Sequence, residues 1–462
     1  MKRIAALLAV TAASSTLAAS PWVNLIGADL STWTQRGGVA TYRVADGTIV
    51  GRTALKTGNS FLCTPYDLGD FVLEYDVKVN PDLNSGVQIR SHAFAEETTF
   101  TGPDGKVGKV PAGRVHGYQM EIDNDPKKDR WWTAGLYEEG RRGWLFPGAA
   151  GGEAKAFTDQ GRQVTKAADW NQIRVTAIGG RIRSWLNGAP RADVLDTDWP
   201  AGFMALQVHG IGSDASKDGI EVAWRNLRVL PLGGGAAEPN TLSEVEQREG
   251  WKLLWDGKTS AGWRSARAPD TFPTSGWEMK DGLITVMPTG GKESAAGGDI
   301  ITKEQYGSFI LKVDFRLTEG ANSGIKYFVD PELNKGSGSA IGCEFQVLDD
   351  EKHPDAKLGK NGNRTIGSLY DVIPAAASKR PNPIGAWNQA LIIVDGAHVE
   401  HWLNGEKVVE YERGSPEFRT LVAGSKFQKY KGWGESPAGH ILLQDHGNKV
   451  SYRNIKIKVL DR

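Results

Sequence analysis

Along Phe71-Val-Leu-Glu-Tyr-Asp-Val-Lys-Val, apolar residues fall on alternate positions, and Phe309-Ile-Leu-Lys-Val-Asp-Phe-Arg-Leu repeats the pattern. Alternation at period two sends successive side chains to opposite faces, so both stretches predict β-strands. Gly385 to Val394 predicts another. Val399 to Leu403 runs into Asn404-Gly405, a pair suited to a hairpin because both turn positions tolerate positive φ. Val450 to Val459 alternates apolar or aromatic residues with Arg and Lys, as a closing strand does. Sustained helical periodicity is hard to find. Many short strands in units of about 200 residues predict a sandwich or jelly roll.

The units are two copies of one plan. Asn84-Ser85-Gly86-Val87 returns as Asn322-Ser323-Gly324-Ile325, and Gly117-Tyr118-Gln119-Met120-Glu121-Ile122 as Gly342-Cys343-Glu344-Phe345-Gln346-Val347. Trp170-Asn171-Gln172 and Trp387-Asn388-Gln389 correspond, as do Trp185-Leu186-Asn187-Gly188 and Trp402-Leu403-Asn404-Gly405. Leu206-Gln207-Val208-His209-Gly210 matches Leu443-Gln444-Asp445-His446-Gly447, followed by Arg225-Asn226 and Arg453-Asn454. Common order over this length indicates tandem duplication. Between the copies, Pro231 to Asn240 has a linker's Gly/Pro-rich composition. Thr241 to Glu246 predicts a short helix with Thr241 as N-cap and Glu244 at the capping-box position. The expected organisation is a leader at 1–19, a first domain at 20–232, a linker at 233–249 and a second domain at 250–462.

That leader follows from the N-terminus. Lys2 and Arg3 precede an apolar run from Ile4 to Ala13, and Thr16-Leu17-Ala18-Ala19 offers small residues for cleavage, the form of a secretory signal peptide. An exported protein, periplasmic or extracellular, is expected. The run is too short for a bilayer span, so no membrane insertion is expected. Lys+Arg and Asp+Glu both number 55, which gives no basic excess for nucleic acid. The two cysteines, Cys63 and Cys343, lie in different copies and read as small buried apolar residues, an inter-domain bridge remaining open.

Against this apolar pattern, certain polar residues stand out. In 342–349, Glu344 and Gln346 share one strand face, opposite Cys343, Phe345 and Val347; in 440–446, His440, Leu442, Gln444 and His446 share another. If both strands belong to one sheet, Glu344, Gln346, Gln444 and His446 converge in a groove where a sugar fits. The plainer account is that one face of an antiparallel sheet is ordinarily wet. A long segment of little strand character, 350–384, holds His353-Pro354-Asp355 and Gly367-Ser368-Leu369-Tyr370-Asp371, and long loops on sandwiches commonly carry function. Asp349-Asp350-Glu351 leaves calcium as an option, with no diagnostic ligand spacing; otherwise no cofactor or metal is expected. Gly291 to Gly298 reads as a flexible loop.

The opening Gly250-Trp251-Lys252-Leu253-Leu254-Trp255-Asp256-Gly257-Lys258-Thr259 resembles the start of the 3-keto-disaccharide hydrolase family. So do the Asn322-Ser323-Gly324, Gly367 to Asp371, Trp402 to Gly405, Leu443 to Gly447 and Arg453-Asn454 motifs, in family order over about 250–460. Residues 21–231 resemble a more diverged copy. The resemblance implies an all-β fold of two tandem concanavalin A-like jelly-roll β-sandwich domains. It also implies a carbohydrate substrate whose ring carries a ketone at C3. That ketone acidifies the hydrogen on C2. A base removes it, the enolate expels the glycosidic oxygen, and water adds back. On this reading His446 and Glu344 are acid/base candidates, Lys326 and Gln444 donors to the enolate, and Asp349 and Tyr370 sugar contacts or a second acid. Gln346, Asp371 and His353 join the substrate-binding candidates, with Trp402 as a stacking ring or a core filler beside its turn. In the first copy the candidates are Arg90, Glu121, Gln207 and His209.

The first copy departs from the pattern. Gln88 stands at the Lys326 position, with Arg90 two residues on, and the Glu-x-Gln pair is reversed to Gln119-x-Glu121. A second active site, a sugar-binding module and a structural partner all stay open. The rivals for the whole chain are a conventional glycoside hydrolase and a non-catalytic carbohydrate-binding protein. The former expects Glu-x-Asp-x-x-Glu where this chain has Glu344-x-Gln346-x-x-Asp349. Oligomeric state is not legible.

Overall fold

The computed structural model describes residues 22–125, 127, 129–233, 238–336 and 338–460. The expected leader at 1–19 lies outside the described residues, as do linker residues 234–237.

Each copy is a sandwich of two antiparallel sheets. The first unit's outer sheet has the order Ala189–Leu195, Arg181–Leu186, Asn171–Ile178, Asp70–Val79, Glu221–Gly233, Thr48–Arg52, Thr41–Ala45. Its inner sheet runs Gly143–Phe146, Leu136–Glu139, His116–Ile122, Ser85–His92, Gly202–Val208, Ser60–Leu68, Thr34–Gly37. The second unit's outer sheet centres on Val450–Val459, Phe309–Leu317 and Trp387–Asp395. Its inner sheet has the order Trp263–Ser265, Ile300–Thr302, His440–Leu443, Asn322–Asp330, Ile341–Leu348. Hairpins such as Asn171–Ile178 with Arg181–Leu186 alternate with pairings between strands distant in sequence, such as Asp70–Val79 with Glu221–Gly233, as in a jelly roll. Between the sheets of each unit the alternating apolar positions meet: Phe309, Leu311, Val313 and Phe315 with Ile325, Tyr327, Phe345 and Leu443 in the second, and Leu73, Tyr75 and Val77 with Val87, Tyr118 and Met120 in the first. Cys63 and Cys343 are separate buried thiols.

The outer sheets meet each other. Val72, Leu230 and Leu232 of the first unit pack with Trp251, Ile310, Leu391, Ile393 and Trp402 of the second. Arg174 Nη2 donates to the Gly405 carbonyl at 2.8 Å, and Gln389 Nε2 to the Leu232 carbonyl at 2.7 Å. This seam covers the second face of both strands, so 309–317 and 387–395 are buried almost throughout, the alternating Lys312 and Asp314 included.

The linker helix is Glu244–Arg248, two residues later than the sequence suggests. Ser243 is the N-cap and Glu246 closes the capping box. The shift follows from Glu246, which does more than cap: fully buried, it accepts from Lys312 Nζ at 3.0 Å and Lys456 Nζ at 2.7 Å on the outer sheet. Burial alone would raise its pKa; the two ammonium groups outweigh this and hold it at about 2.

Candidate active site

The repeated Asn-Ser-Gly motif positions the first functional side chain. Gly324 faces Gln346, and Lys326 faces Glu344, on the paired strands Asn322–Asp330 and Ile341–Leu348. A Cβ at Gly324 would land on Glu344 Oε1, so the glycine lets the Glu344 side chain lie across the neighbouring strand. Lys326 Nζ sits 3.6 Å from Glu344 Oε2. Its other contacts are the Ser339 hydroxyl and, at 3.1 Å, the Ala340 carbonyl. Gln346, with its amide nitrogen turned to the acceptors around it, donates to Glu344 Oε1 at 3.1 Å. Burial raises the Glu344 pKa, Lys326 and Lys426 opposing the rise.

The second phrase, Gln444-Asp445-His446-Gly447, is an anchor as well as a site. The strand ends at Leu443, three residues earlier than the sequence pattern suggests. Beyond it the Asp445 carbonyl accepts from Ser294 N at 2.9 Å and its carboxylate from Gly298 N at 3.0 Å. Gly447 has a φ of +76°, and a Cβ there would strike Thr289 and Lys292. Segment 291–298 is therefore pinned rather than loose, and it carries Glu293 to Gln444, whose Nε2 donates to Glu293 Oε1 at 3.2 Å. Gln444 Oε1 and His446 Nδ1 are buried atoms without a hydrogen-bond partner among the described residues. The His446 ring meets His353 edge-on, centroids 5.6 Å apart. Burial, reinforced by His446, lowers the His353 pKa.

These groups line one cleft of about 450 Å³. Of the candidates from the sequence, Glu344, Gln346, Lys326, Tyr370, His353, Gln444 and His446 line it. Tyr370 donates from its hydroxyl to Asp355 Oδ2 at 2.8 Å, and Asp355 Oδ1 accepts from Arg364 Nη1 at 2.8 Å.

Seven candidates lie elsewhere: Asp349, Asp371, Trp402 and Arg90, and also Glu121, Gln207 and His209 of the first unit. Asp349 accepts from the backbone N–H groups of Gly320, Glu351 and Lys352, forming the turn that launches the His353 loop. Asp371 accepts from Arg364 Nε at 2.6 Å and from Lys426 N at 2.8 Å, a brace behind the cleft. Trp402 belongs to the seam between the units, its indole N–H donating to Glu400. Arg90 is buried against Asp70 at 2.8 Å and the Gly69 and Gly179 carbonyls, not in a groove. Of the carboxylates in the calcium option, Asp349 is engaged as above and Asp350 accepts from Ile366 N and pairs with Lys379 at 2.6 Å.

Sequence reading missed Glu293, Asp355, Lys426, Lys429 and Tyr430, which also line the cleft. Only Asp355, two residues from His353, had a signal; the Lys426 segment looks like ordinary surface in the sequence.

The first unit keeps the register and changes the chemistry. Gln88 faces Gln119 there as Lys326 faces Glu344, and Gly86 faces Glu121. Its polar groups satisfy one another: Ser91 donates to Gln88 at 2.7 Å, Gln88 to Gln119 at 2.5 Å, and Gln119 to Glu121 at 2.6 Å. Burial pushes the Glu121 pKa up to about 8. Gln207 is fully buried with neither amide atom hydrogen-bonded among the described residues, and His209 opens onto a separate small cleft beside Asp123 and Arg130.

Comparison with known proteins agrees with this duplication. A 3-keto-disaccharide hydrolase of Bacteroides thetaiotaomicron is 38% identical over 247 residues, spanning 49% of this chain and 84% of the relative. A crystal structure of a candidate glycosyl hydrolase from Parabacteroides distasonis is 31% identical, covering 48% of this chain and 100% of its own, with a TM-score of 0.43. A second from the same organism is 25% identical over 46% of this chain and 99% of its own, with a TM-score of 0.34. The model of the 3-keto-alpha-glucoside-1,2-lyase-like domain matches residues 21–230 and again residues 250–458, and the chain belongs to that family.

Proposed function

We propose that the second unit cleaves the glycosidic bond of 3-keto-glycosides or 3-keto-disaccharides by elimination and rehydration. Family membership and the name of the Bacteroides relative support the substrate class. The observation that carries the mechanism is the Glu344–Lys326 pair, buried at the cleft floor. A carboxylate with a raised pKa is a competent general base near neutral pH.

Glu344 takes the proton from C2, and the C–H electron pair forms the enolate with the C3 oxygen. The enolate collapses to a C1–C2 double bond as the C1–O bond breaks, and His446 gives the departing oxygen a proton. Water then adds its oxygen at C1 and a proton returns to C2, so the net change is hydrolysis. Lys326, directed at Ser339, Ala340 and Glu344, holds the base in place. Gln444 and Gln346 supply polar edges for sugar hydroxyls, and the apolar rings of Tyr370 and Tyr430 supply a wall. The first unit, with amides in place of the base and its cation, does no proton transfer on this reading. The leader at 1–19 delivers the enzyme to the periplasm or beyond.

Release of nitrophenol tests the reading. Residues 20–462 are expected to release it from a nitrophenyl 3-keto-glucoside and not from the unoxidised glucoside. Release from both favours a conventional glycosidase; release from neither, with sugar binding intact, favours a binding protein.

A further inference from the structure

The reaction above leaves one requirement unmet by the residues so far assigned. Negative charge develops on the C3 oxygen, and the ammonium of Lys326 is already engaged by Ser339, Ala340 and Glu344. A second lysine faces the cleft. Lys426 Nζ lies over the Tyr370 ring, 4.1 Å from its centroid, and over Phe427 at 5.2 Å. Its backbone N–H donates to Asp371 Oδ2 at 2.8 Å, but among the described residues its ammonium has no hydrogen-bond or ion-pair partner. It is near enough to Glu344 for each to shift the other's titration. Enclosure lowers the Lys426 pKa; Glu344 opposes this, and Lys326 and Arg364 add to it.

The segment bearing Lys426 is built to hold it still. It lies between strands Glu406–Glu412 and His440–Leu443, with helix Pro416–Ala423 and the short turn Lys426–Lys429. Phe427 stacks on Trp433 at 4.4 Å, Trp433 on Phe418 at 5.9 Å, and Phe418 on Tyr411 at 5.3 Å. That run of parallel rings ties the segment to the core. In the first unit the corresponding connection is only residues 196–201, between Ala189–Leu195 and Gly202–Val208. The segment is thus present where Lys326 and Glu344 are present, and missing where they are replaced.

We propose that Lys426 is a catalytic residue that places its ammonium against the C3 oxygen of the substrate and stabilises the enolate, an assignment resting on the elimination reading above. The carbonyl oxygen binds against the cation in the ground state and gains charge as C2 loses its proton, so the interaction strengthens in the transition state. The aromatic seat fixes the ammonium without neutralising it. No covalent bond to Lys426 is formed.

The test compares wild type, Lys426→Met and Lys426→Arg in the full chain, with nitrophenyl 3-keto-glucoside as substrate and the unoxidised glucoside as binding probe. Lys426→Met is expected to lower kcat by about 10²–10³, the scale of losing one oxyanion donor, and to leave probe binding within threefold. Lys426→Arg, which keeps the charge, is expected to recover at least a tenth of wild-type kcat. Near-wild-type turnover in Lys426→Met overturns the proposal. So does a borohydride-trapped adduct on Lys426, which would mean covalent iminium chemistry. An inactive wild type instead overturns the elimination reading itself.

Discussion

Lys326 Nζ and Glu344 Oε2 stand 3.6 Å apart across paired strands at the floor of the cleft. The same register positions in the first unit hold two amides, Gln88 and Gln119, 2.5 Å apart. The ion pair of one copy is replaced by a neutral hydrogen bond in the other. Glu344→Gln should therefore abolish essentially all turnover of the full chain, by at least about 10²-fold for a lost general base. Gln119→Glu should change turnover little. Residual activity in Glu344→Gln that disappears when Gln119 or Glu121 is also replaced would place chemistry in the first unit.

The pair also sets a pH dependence. As the proposed base, Glu344 works only when ionised, so kcat/KM should fall on the acid side as it takes up a proton. Burial raises its pKa and Lys326 holds the rise in check. Lys326→Met should move the acid limb to higher pH, by about 1–3 units for a neighbouring opposite charge. A pH–rate profile checks this; an unmoved or acid-shifted limb counts against Glu344 as the base.

The two equivalent glycines separate activity from stability. Gly324→Ala puts a methyl group onto Glu344 Oε1, while Gly86→Ala puts one onto the Gln119 amide. Both should lower Tm by a few degrees, the scale of about 1–3 kcal/mol of overpacking. Only Gly324→Ala should also cost kcat beyond tenfold. Thermal melts and kinetics on the same preparations decide the matter.

Trp402 offers the reverse case. It fills the seam between the outer sheets and is 6% exposed. Trp402→Ala should cost about 3–5 kcal/mol of stability and leave KM for a 3-keto-glucoside within twofold at a temperature where the variant is folded. A selective rise in KM would return the ring to the substrate site.

Glu246 ties the linker helix to the second unit through Lys312 and Lys456. Its pKa of about 2 lies below its ordinary value of 4.5. A depressed carboxyl pKa contributes stability that is full above the unfolded value and lost as pH falls toward the folded one. The stability of wild type to chemical denaturation should fall as pH drops from about 4.5 to 2, and Glu246→Gln should lack that component. It should also be less stable at pH 7 by about 3–5 kcal/mol, since two buried ammonium groups then lack a partner.

The sequence exposed the architecture because strand alternation, Asn-Gly turns and an ordered internal repeat are local signals. Glu344, Gln444 and His446 were visible because a polar residue on an otherwise apolar strand stands out. Their neighbours were not, since Lys426 and Glu293 reach the cleft from connections whose path depends on the aromatic stack behind Phe427 and on the Asp445 anchor. Asp349 and Asp371 misled for a related reason: a carboxylate that braces a turn looks, in sequence, like one that meets a ligand. Trp402 and Arg90 misled because pairing between outer sheets and the bulged end of Ser85–His92 leave no local trace. The helix cap slipped because Glu246 is fixed by two distant lysines as well as by its own turn.

The most direct measurement follows the hydrogen on C2. A nitrophenyl 3-keto-glucoside labelled with deuterium at C2 is cleaved in ordinary water, and the sugar product is sampled early, against a control for exchange in the product alone. Elimination moves the label from C2 to Glu344 in every turnover, and the account has Glu344 exchange it with solvent before a proton returns to C2, so enzyme-made product should have lost it. Product that keeps its C2 deuterium through cleavage would contradict elimination and assign the bond breaking to direct hydrolysis at C1.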